Sequence, residues 1–329
     1  MSAHIQKLAG SSLNPLGLGR RGTRFKAIFA LSLVAFFWGT TWLASREGVK
    51  YMPPLQLAAI RQFLAGLIYL VYFMTKGRVF PKGKEWRPIL ILSLLNFVLS
   101  NGLATWGVKY ISGGLAAIIG AIFPLWLVVI GFFRSQKLPL SSVIGIFLGF
   151  GGICIIFYEH LPDFLNRDFS FGILISIAAT WSWAFGTLYT KDKARDFNPY
   201  VSIGLQMLIA GIFLYLASAV SHEAIPLRSI PVKSWLAIAY LVIFGSVISF
   251  VAYLYALQHL PIAYVSTYAY INPVVAVLLG GLFFGERFTM FIAAGGAVTL
   301  YGTYLVNQAF RKSREKTIVS DEQGSHPAS

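Results

Sequence analysis

Apolar residues run in blocks along this chain rather than alternating with polar ones. Ten blocks are long enough to read as bilayer spans: Phe25–Ser45, Leu55–Met74, Pro88–Val108, Gly114–Phe133, Ser142–Tyr158, Phe171–Thr190, Tyr200–Val220, Ser234–Leu257, Ala263–Phe284 and Thr289–Val306. A hydrocarbon core takes about 20 residues of helix. Open strands would leave backbone groups unpaired in lipid, so the blocks are expected to be helices. The expected fold is an all-α integral membrane protein of ten transmembrane helices.

Composition agrees with lipid as the solvent. Of the 329 residues, 57% are hydrophobic and 12% are charged. A soluble domain carries about twice that charged share. The net charge of +15 could suggest nucleic acid, but the basic residues sit in clusters between the blocks and not on a basic, aromatic-interleaved face. They follow membrane orientation instead. With the N-terminus inside, 19 Lys and Arg fall on the inner side and 7 on the outer, with Arg61 inside a block. That split predicts both termini in the cytoplasm. The chain then divides into a basic tail (1–24), a first set of five spans (25–158), an outer linker (159–170), a second set (171–306) and a polar tail (307–329) expected to be disordered from Arg311.

Few motifs compete with this reading. The first block is longer than the apolar part of a signal peptide and is followed by Arg46. The GxGxxG at Gly17, Gly19 and Gly22 has no strand before it, so it is not a dinucleotide site. The five histidines are scattered, and the single Cys154 cannot form an internal disulfide. No cofactor and no metal is expected.

The ten blocks read as one set of five, written twice. PLQLAAIRQFLAG (54–66) aligns with PYVSIGLQMLIAG (199–211) at an offset of 145, and Trp38 falls on Trp183. TWGVKYISGGLAAIIGAIFP (105–124) aligns with 254–273 at 149, setting Pro124 on Pro273; Gly145, Gly149 and Gly152 fall on Gly295, Thr299 and Gly302 at 150. Five spans per copy is odd, so the copies enter the membrane from opposite sides. Inverted repeats suit alternating access, with a site at the repeat interface. Each paired proline removes a donor and crowds the carbonyl four residues earlier, at Gly120 and Ala269, and a kink there would turn backbone groups toward a cavity.

The stretches WGTTWLASR (38–46), MPPLQLAAIRQFLAG (52–66), GVKYISGGLAAIIGAIFP (107–124) and FGERF (284–288) resemble the EamA family of the drug/metabolite transporter superfamily, from about Ala27 to Val306. The resemblance implies two inverted five-helix repeats, small-metabolite transport, often by export, and a place in the cell membrane, the inner membrane in a bacterium. It also implies that the first, third and fourth helices of each half line a central cavity. Its basic residue after the Trp is Arg46, its second-helix Arg is Arg61, and its Glu after the fourth helix is Glu286 in the second half but Gln136 in the first.

The candidate cavity residues are aromatic or neutral polar: Trp38, Thr41, Trp42, Asn96, Ser100, Asn101, Trp183, Ser249, Tyr253 and Tyr268. Pro124, Pro273, Glu286 and Arg61 are assigned structural or gating roles. For Arg61 one reading ties neighbouring carbonyls or reaches the outer interface; the other faces the cavity and attracts an anion. The twelve acidic residues lie in tails, loops or span ends, which argues against cation antiport through a membrane carboxylate. Such a cavity suits neutral or zwitterionic solutes such as amino acids. The alternatives are a transporter of anionic metabolites using Arg61, a membrane enzyme acting on lipid, and a non-transporting receptor. The glycine stripes on the fifth and tenth blocks permit close helix contact, within the chain or across a homodimer; a monomer fits equally.

Overall fold

The computed structural model describes residues 20–77, 80–133, 139–159, 161–193, 198–260, 265, 268–287 and 289–324. Among the described residues nine helices are long and apolar enough to cross a membrane, and a shorter apolar helix, Tyr268–Phe284, stands in the ninth position. They are α1 (Arg20–Gly48), α2 (Pro54–Thr75), α3 (Trp86–Leu92 running on through Ser93–Gly102 to Leu103–Gly107), α4 (Gly113–Gly120 and Phe123–Phe133) and α5 (Leu140–Glu159) in the first half. The second half holds α6 (Arg167–Lys193), α7 (Pro199–Val220), α8 (Val232–Tyr240, Leu241–Ile248 and Ser249–His259), α9 (Tyr268–Phe284) and α10 (Met290–Gly324).

Three features depart from the expected pattern. Ser93–Gly102 of α3 and Leu241–Ile248 of α8 are π-helical, at matching places in the two halves. The fourth span is broken by a turn at Ala121–Ile122, with Pro124 at the second position of the resumed helix, whereas Pro273 lies inside a continuous α9. Finally, α10 runs to Gly324 rather than ending at Val306, so the tail from Arg311 is helical where disorder was expected. Its Arg, Lys, Glu and Gln residues are good helix formers.

The inversion is visible in which glycines meet. A methyl group added at Gly66 would lie 2.6 Å from the Leu208 nitrogen; one added at Gly211 would lie 2.7 Å from the Phe63 nitrogen. Exchanging the two halves at an offset of 145 turns the first contact into the second. The partner residue falls in number as the other rises, so α2 and α7 cross antiparallel about a pseudo-twofold axis. The same holds for α5 and α10. A Cβ on Gly145 would stand 2.6 Å from the Gly302 carbonyl oxygen, and one on Gly295 would stand 2.5 Å from that of Gly152. Both small-residue stripes are thus used against each other inside one chain.

Polar ties bind the two halves at the Gly48 end of the bundle. Gln56 donates to the Ile225 carbonyl at 2.7 Å and accepts from its N–H at 3.0 Å. The Ser234 hydroxyl donates to the Gly48 carbonyl at 3.2 Å. Within the first half, Arg46 donates to the carbonyls of Val108 and Lys109 at 2.6 and 2.5 Å, closing the last turn of α3.

Candidate functional site

Between the halves lies a cavity of about 140 Å³. One water needs about a tenth of that room, so the space admits a small organic molecule. Its wall comes from α1, α3, α4, α6, α8 and α9, with α2 contributing Arg61.

Eight of the residues singled out from sequence line it: Trp38, Thr41, Trp42, Arg61, Ser100, Asn101, Trp183 and Tyr268. Trp38 is the hub. Its indole N–H donates to the Gly245 carbonyl at 3.1 Å, inside the π-helical stretch of α8. Its ring packs edge-on to Tyr268, Phe250 and Trp183 with centroids 5.0, 5.1 and 6.0 Å away. Offset and edge-on arrangements are the favoured ones for aromatic pairs. Trp183 donates in turn to the Tyr268 hydroxyl at 3.3 Å. Trp42 lies over Gly120, where an added Cβ would come within 2.9 Å of the ring. Thr41 turns its hydroxyl back to the Trp38 carbonyl at 2.7 Å, and Asn101 donates to the Asn96 carbonyl at 2.9 Å.

Three candidates are placed elsewhere. Asn96 points its amide oxygen at α6, so close to Gly186 that a Cβ there would sit 1.8 Å from it. Ser249 is fully buried and donates to the Phe244 carbonyl of its own helix at 2.5 Å. Asn101 and Ser249 thus make the same five-residue backward bond in the two halves, a correspondence at an offset of 148. Tyr253 stands behind the wall, 5.2 Å from Trp38 ring to ring. Gln136 lies outside the described residues.

Arg61, given a structural or gating role from sequence, is placed at the cavity wall. Only 5% exposed, it lines the cavity and donates from Nε to the Ser246 hydroxyl at 3.0 Å. That partner is a hydroxyl of α8, not a helix carbonyl or the interface. The backbone positions flanking the prolines do reach the cavity: Gly120 and Ala269 both line it. Glu286 does not. Its carboxylate accepts from the backbone N–H groups of Gly113 and Gly114 at 2.7 and 2.9 Å, capping the start of α4. Ser112 takes the next donor, Leu115, at 3.1 Å.

Sequence reasoning passed over Ser45, Thr180 and Phe250, which also line the cavity. Thr180 accepts from the Trp126 indole at 3.0 Å. A helical projection of α1 gives a signal for Ser45, since it extends the Trp38, Thr41, Trp42 face by one turn.

The EamA-like transporter family matches residues 25–158 and 170–308, one match to each half. The chain is 30% identical to the uncharacterized inner membrane transporter YedA of Escherichia coli (strain K12), covering 86% of this chain and 90% of that one. It is 28% identical to a WAT1-related chloroplastic protein of Arabidopsis thaliana, over 83% of this chain and 67% of that protein. An uncharacterized transporter, YvbV of Bacillus subtilis (strain 168), is 25% identical over 89% and 95%. A solved crystal structure superposes with a TM-score of 0.62 at 18% identity, covering 88% of this chain and 98% of the other; at that identity the likeness is one of fold.

Proposed function

Since this chain belongs to the EamA-like transporter family, whose inverted halves enclose the cavity just described, we propose that it carries small organic metabolites across the membrane by alternating access. The two halves exchange roles about the pseudo-twofold axis, opening the cavity to one side and then the other. The cargo is a neutral or zwitterionic solute with an apolar body, amino acids being the type compound, and the direction is export. Both termini face the cytoplasm, following the basic clusters, and the membrane is the inner membrane where the host is bacterial, as for YedA.

One observation carries the reading: side chains from both halves, Trp38, Ser100 and Asn101 from one and Trp183 and Tyr268 from the other, converge on one roomy cavity. A scaffold would close that space. The transporter names of the relatives support transport over catalysis on lipid. Release of radiolabelled amino acids from preloaded proteoliposomes tests it. Saturable release above protein-free vesicles is expected. No release across amino acids, organic acids and amines would overturn the proposal.

A further inference from the structure

Arg61 is a buried cation without a counter-ion. Among the described residues the only ion pair joins Lys50 to Glu47, at the partly exposed end of α1 and not with Arg61. No acidic side chain among the described residues lines the cavity. Of the five N–H donors that a guanidinium carries, only Nε–H has a partner among the described residues, the Ser246 hydroxyl. An uncompensated charge away from water costs several kcal/mol. A solute anion entering the cavity would offset that cost, which a neutral solute cannot do.

The rest of the wall says what else the solute carries. Arg61 and three hydroxyls lie toward one end of the cavity and Trp38, Trp183 and Tyr268 toward the other, with Trp42 at the level of Arg61 and Thr180 among the rings. Counting about 1.5 Å per residue from the Gly48 end of the bundle, Thr105 lies about 3 Å in, Ser45 about 5 Å and Arg61 about 10 Å. On the same count Trp38 lies about 15 Å in, and Trp183 and Tyr268 about 24 Å. Ser45, Ser100 and Thr105 line the cavity, and their hydroxyls have no hydrogen-bond partner among the described residues. A charged head thus faces donors at one pole, and an apolar body faces rings at the other. Charge also sets valence: one guanidinium neutralises one negative charge, so a phosphate dianion would leave a charge of its own in the cavity. The repeat counterpart offers no second anchor, because Gln206 is absent from the wall and donates to Ser202 in its own helix at 2.8 Å.

Resting on the transporter reading above, we propose that Arg61 anchors the carboxylate of the transported solute, and that the cavity takes monocarboxylates whose apolar or aromatic body lies against Trp38, Trp183 and Tyr268. The planar guanidinium fork matches a carboxylate in two parallel hydrogen bonds, and the Ser246 bond fixes the plane of that fork. Two sources share this chemistry, the α-amino acids and their deaminated analogues.

Binding to detergent-purified protein, read as a rise in melting temperature, separates them. The probes are L-phenylalanine, 3-phenylpropionate and 2-phenylethylamine, which share a ring and differ in the carboxylate and amine. One or both carboxylates are expected to raise the midpoint, and the amine is not. Binding of phenylalanine alone selects the amino acids; binding of phenylpropionate alone selects the deaminated acids. Arg61→Gln is expected to weaken carboxylate binding by about a hundredfold, and Arg61→Lys, which keeps the charge but not the fork, by about tenfold. The wild-type comparison stands even where a variant fails to fold. Equal binding of phenylethylamine, absence of binding by both carboxylates, or unchanged affinity in a folded Arg61→Gln protein overturns the assignment. Carboxylate binding without flux in proteoliposomes would leave the assignment standing and remove the transport reading; flux confined to solutes lacking a carboxylate would do the reverse.

Discussion

The indole N–H of Trp38 donates to the backbone carbonyl of Gly245, 3.1 Å away and 207 residues further along the chain. The bond crosses between the halves and ends inside the π-helical stretch of α8, where the helix's own i−4 pattern is interrupted. Two more side chains of the first half hold the same stretch: Arg61 bonds Ser246, and the Tyr69 hydroxyl donates to the Val247 carbonyl at 2.9 Å. Three successive residues, Gly245 to Val247, are thus each tied to the first half.

Trp38→Phe removes the donor and keeps a ring. The cost of one such bond is about 1 kcal/mol. Trp38→Ala also removes the contacts to Phe250, Trp183 and Tyr268, for a loss of about 3–5 kcal/mol. The expected order of melting midpoints in detergent is wild type, then Phe, then Ala. A Phe variant as unstable as the Ala variant would show the hydrogen bond to matter more than the packing.

The glycine stripes of α5 and α10 predict a sharper contrast. A Cβ at Gly152 would lie 2.4 Å from the Thr299 hydroxyl and 2.5 Å from the Gly295 carbonyl, and backbone cannot step aside cheaply. At the neighbouring Gly151 nothing lies within 4 Å. Overpacking a close contact costs about 1–3 kcal/mol. Gly152→Leu is expected to lower folded yield severalfold by fluorescence size-exclusion chromatography, and Gly151→Leu to leave it unchanged.

How far the sequence could be read depended on the kind of signal. The spans were legible because lipid demands long apolar helices, and the duplication because Pro, Gly and Trp recur in order. Trp38, Thr41 and Trp42 were legible as a face because polar and aromatic residues one turn apart stand out on an apolar helix. Rotation was harder. Where lipid is as apolar as the protein interior, a hydrophobic stripe no longer marks the buried side, so nothing in the sequence turned Arg61 toward the cavity or Asn96 toward Gly186. The π-helical stretches were missed for another reason. A shift of hydrogen-bond register leaves no composition behind, and its companions, Asn101 and Ser249, read as ordinary polar residues in a span.

Glu286 predicts a capping effect that a neutral side chain reproduces only in part. Its two oxygens serve the first two N–H groups of α4, and three glycines make the room: a Cβ at Gly113, Gly114 or Gly280 would lie 3.2, 3.1 or 2.7 Å from the carboxylate oxygens. Removing a helix cap costs about 0.5–2 kcal/mol, and the negative charge adds to the cap at a helix start. Glu286→Ala is expected to lose about 1–2 kcal/mol, and Glu286→Gln, whose one carbonyl can still accept, about half of that. Thermal unfolding of the two variants side by side checks the order; equal loss would assign the whole effect to charge.

Gly120 predicts a change in selectivity rather than in stability alone. It lines the cavity where Trp42 lies across it, and an added Cβ would approach the ring to 2.9 Å. In Gly120→Ala the indole must move, and the methyl and the displaced ring both take room from a cavity of about 140 Å³. Large solutes should feel that loss before small ones. In proteoliposomes, flux of the larger of two transported solutes is expected to fall at least about threefold relative to the smaller, one methylene of misfit being worth about 1–3 kcal/mol in a tight pocket. Trp42→Phe in the same chain removes the part of the ring that clashes, so the double variant should recover much of the lost ratio. Residues in contact depart from additivity in this way, and distant ones do not. An additive double variant would mean that Gly120 acts through the turn at Ala121–Ile122 and not through the Trp42 ring.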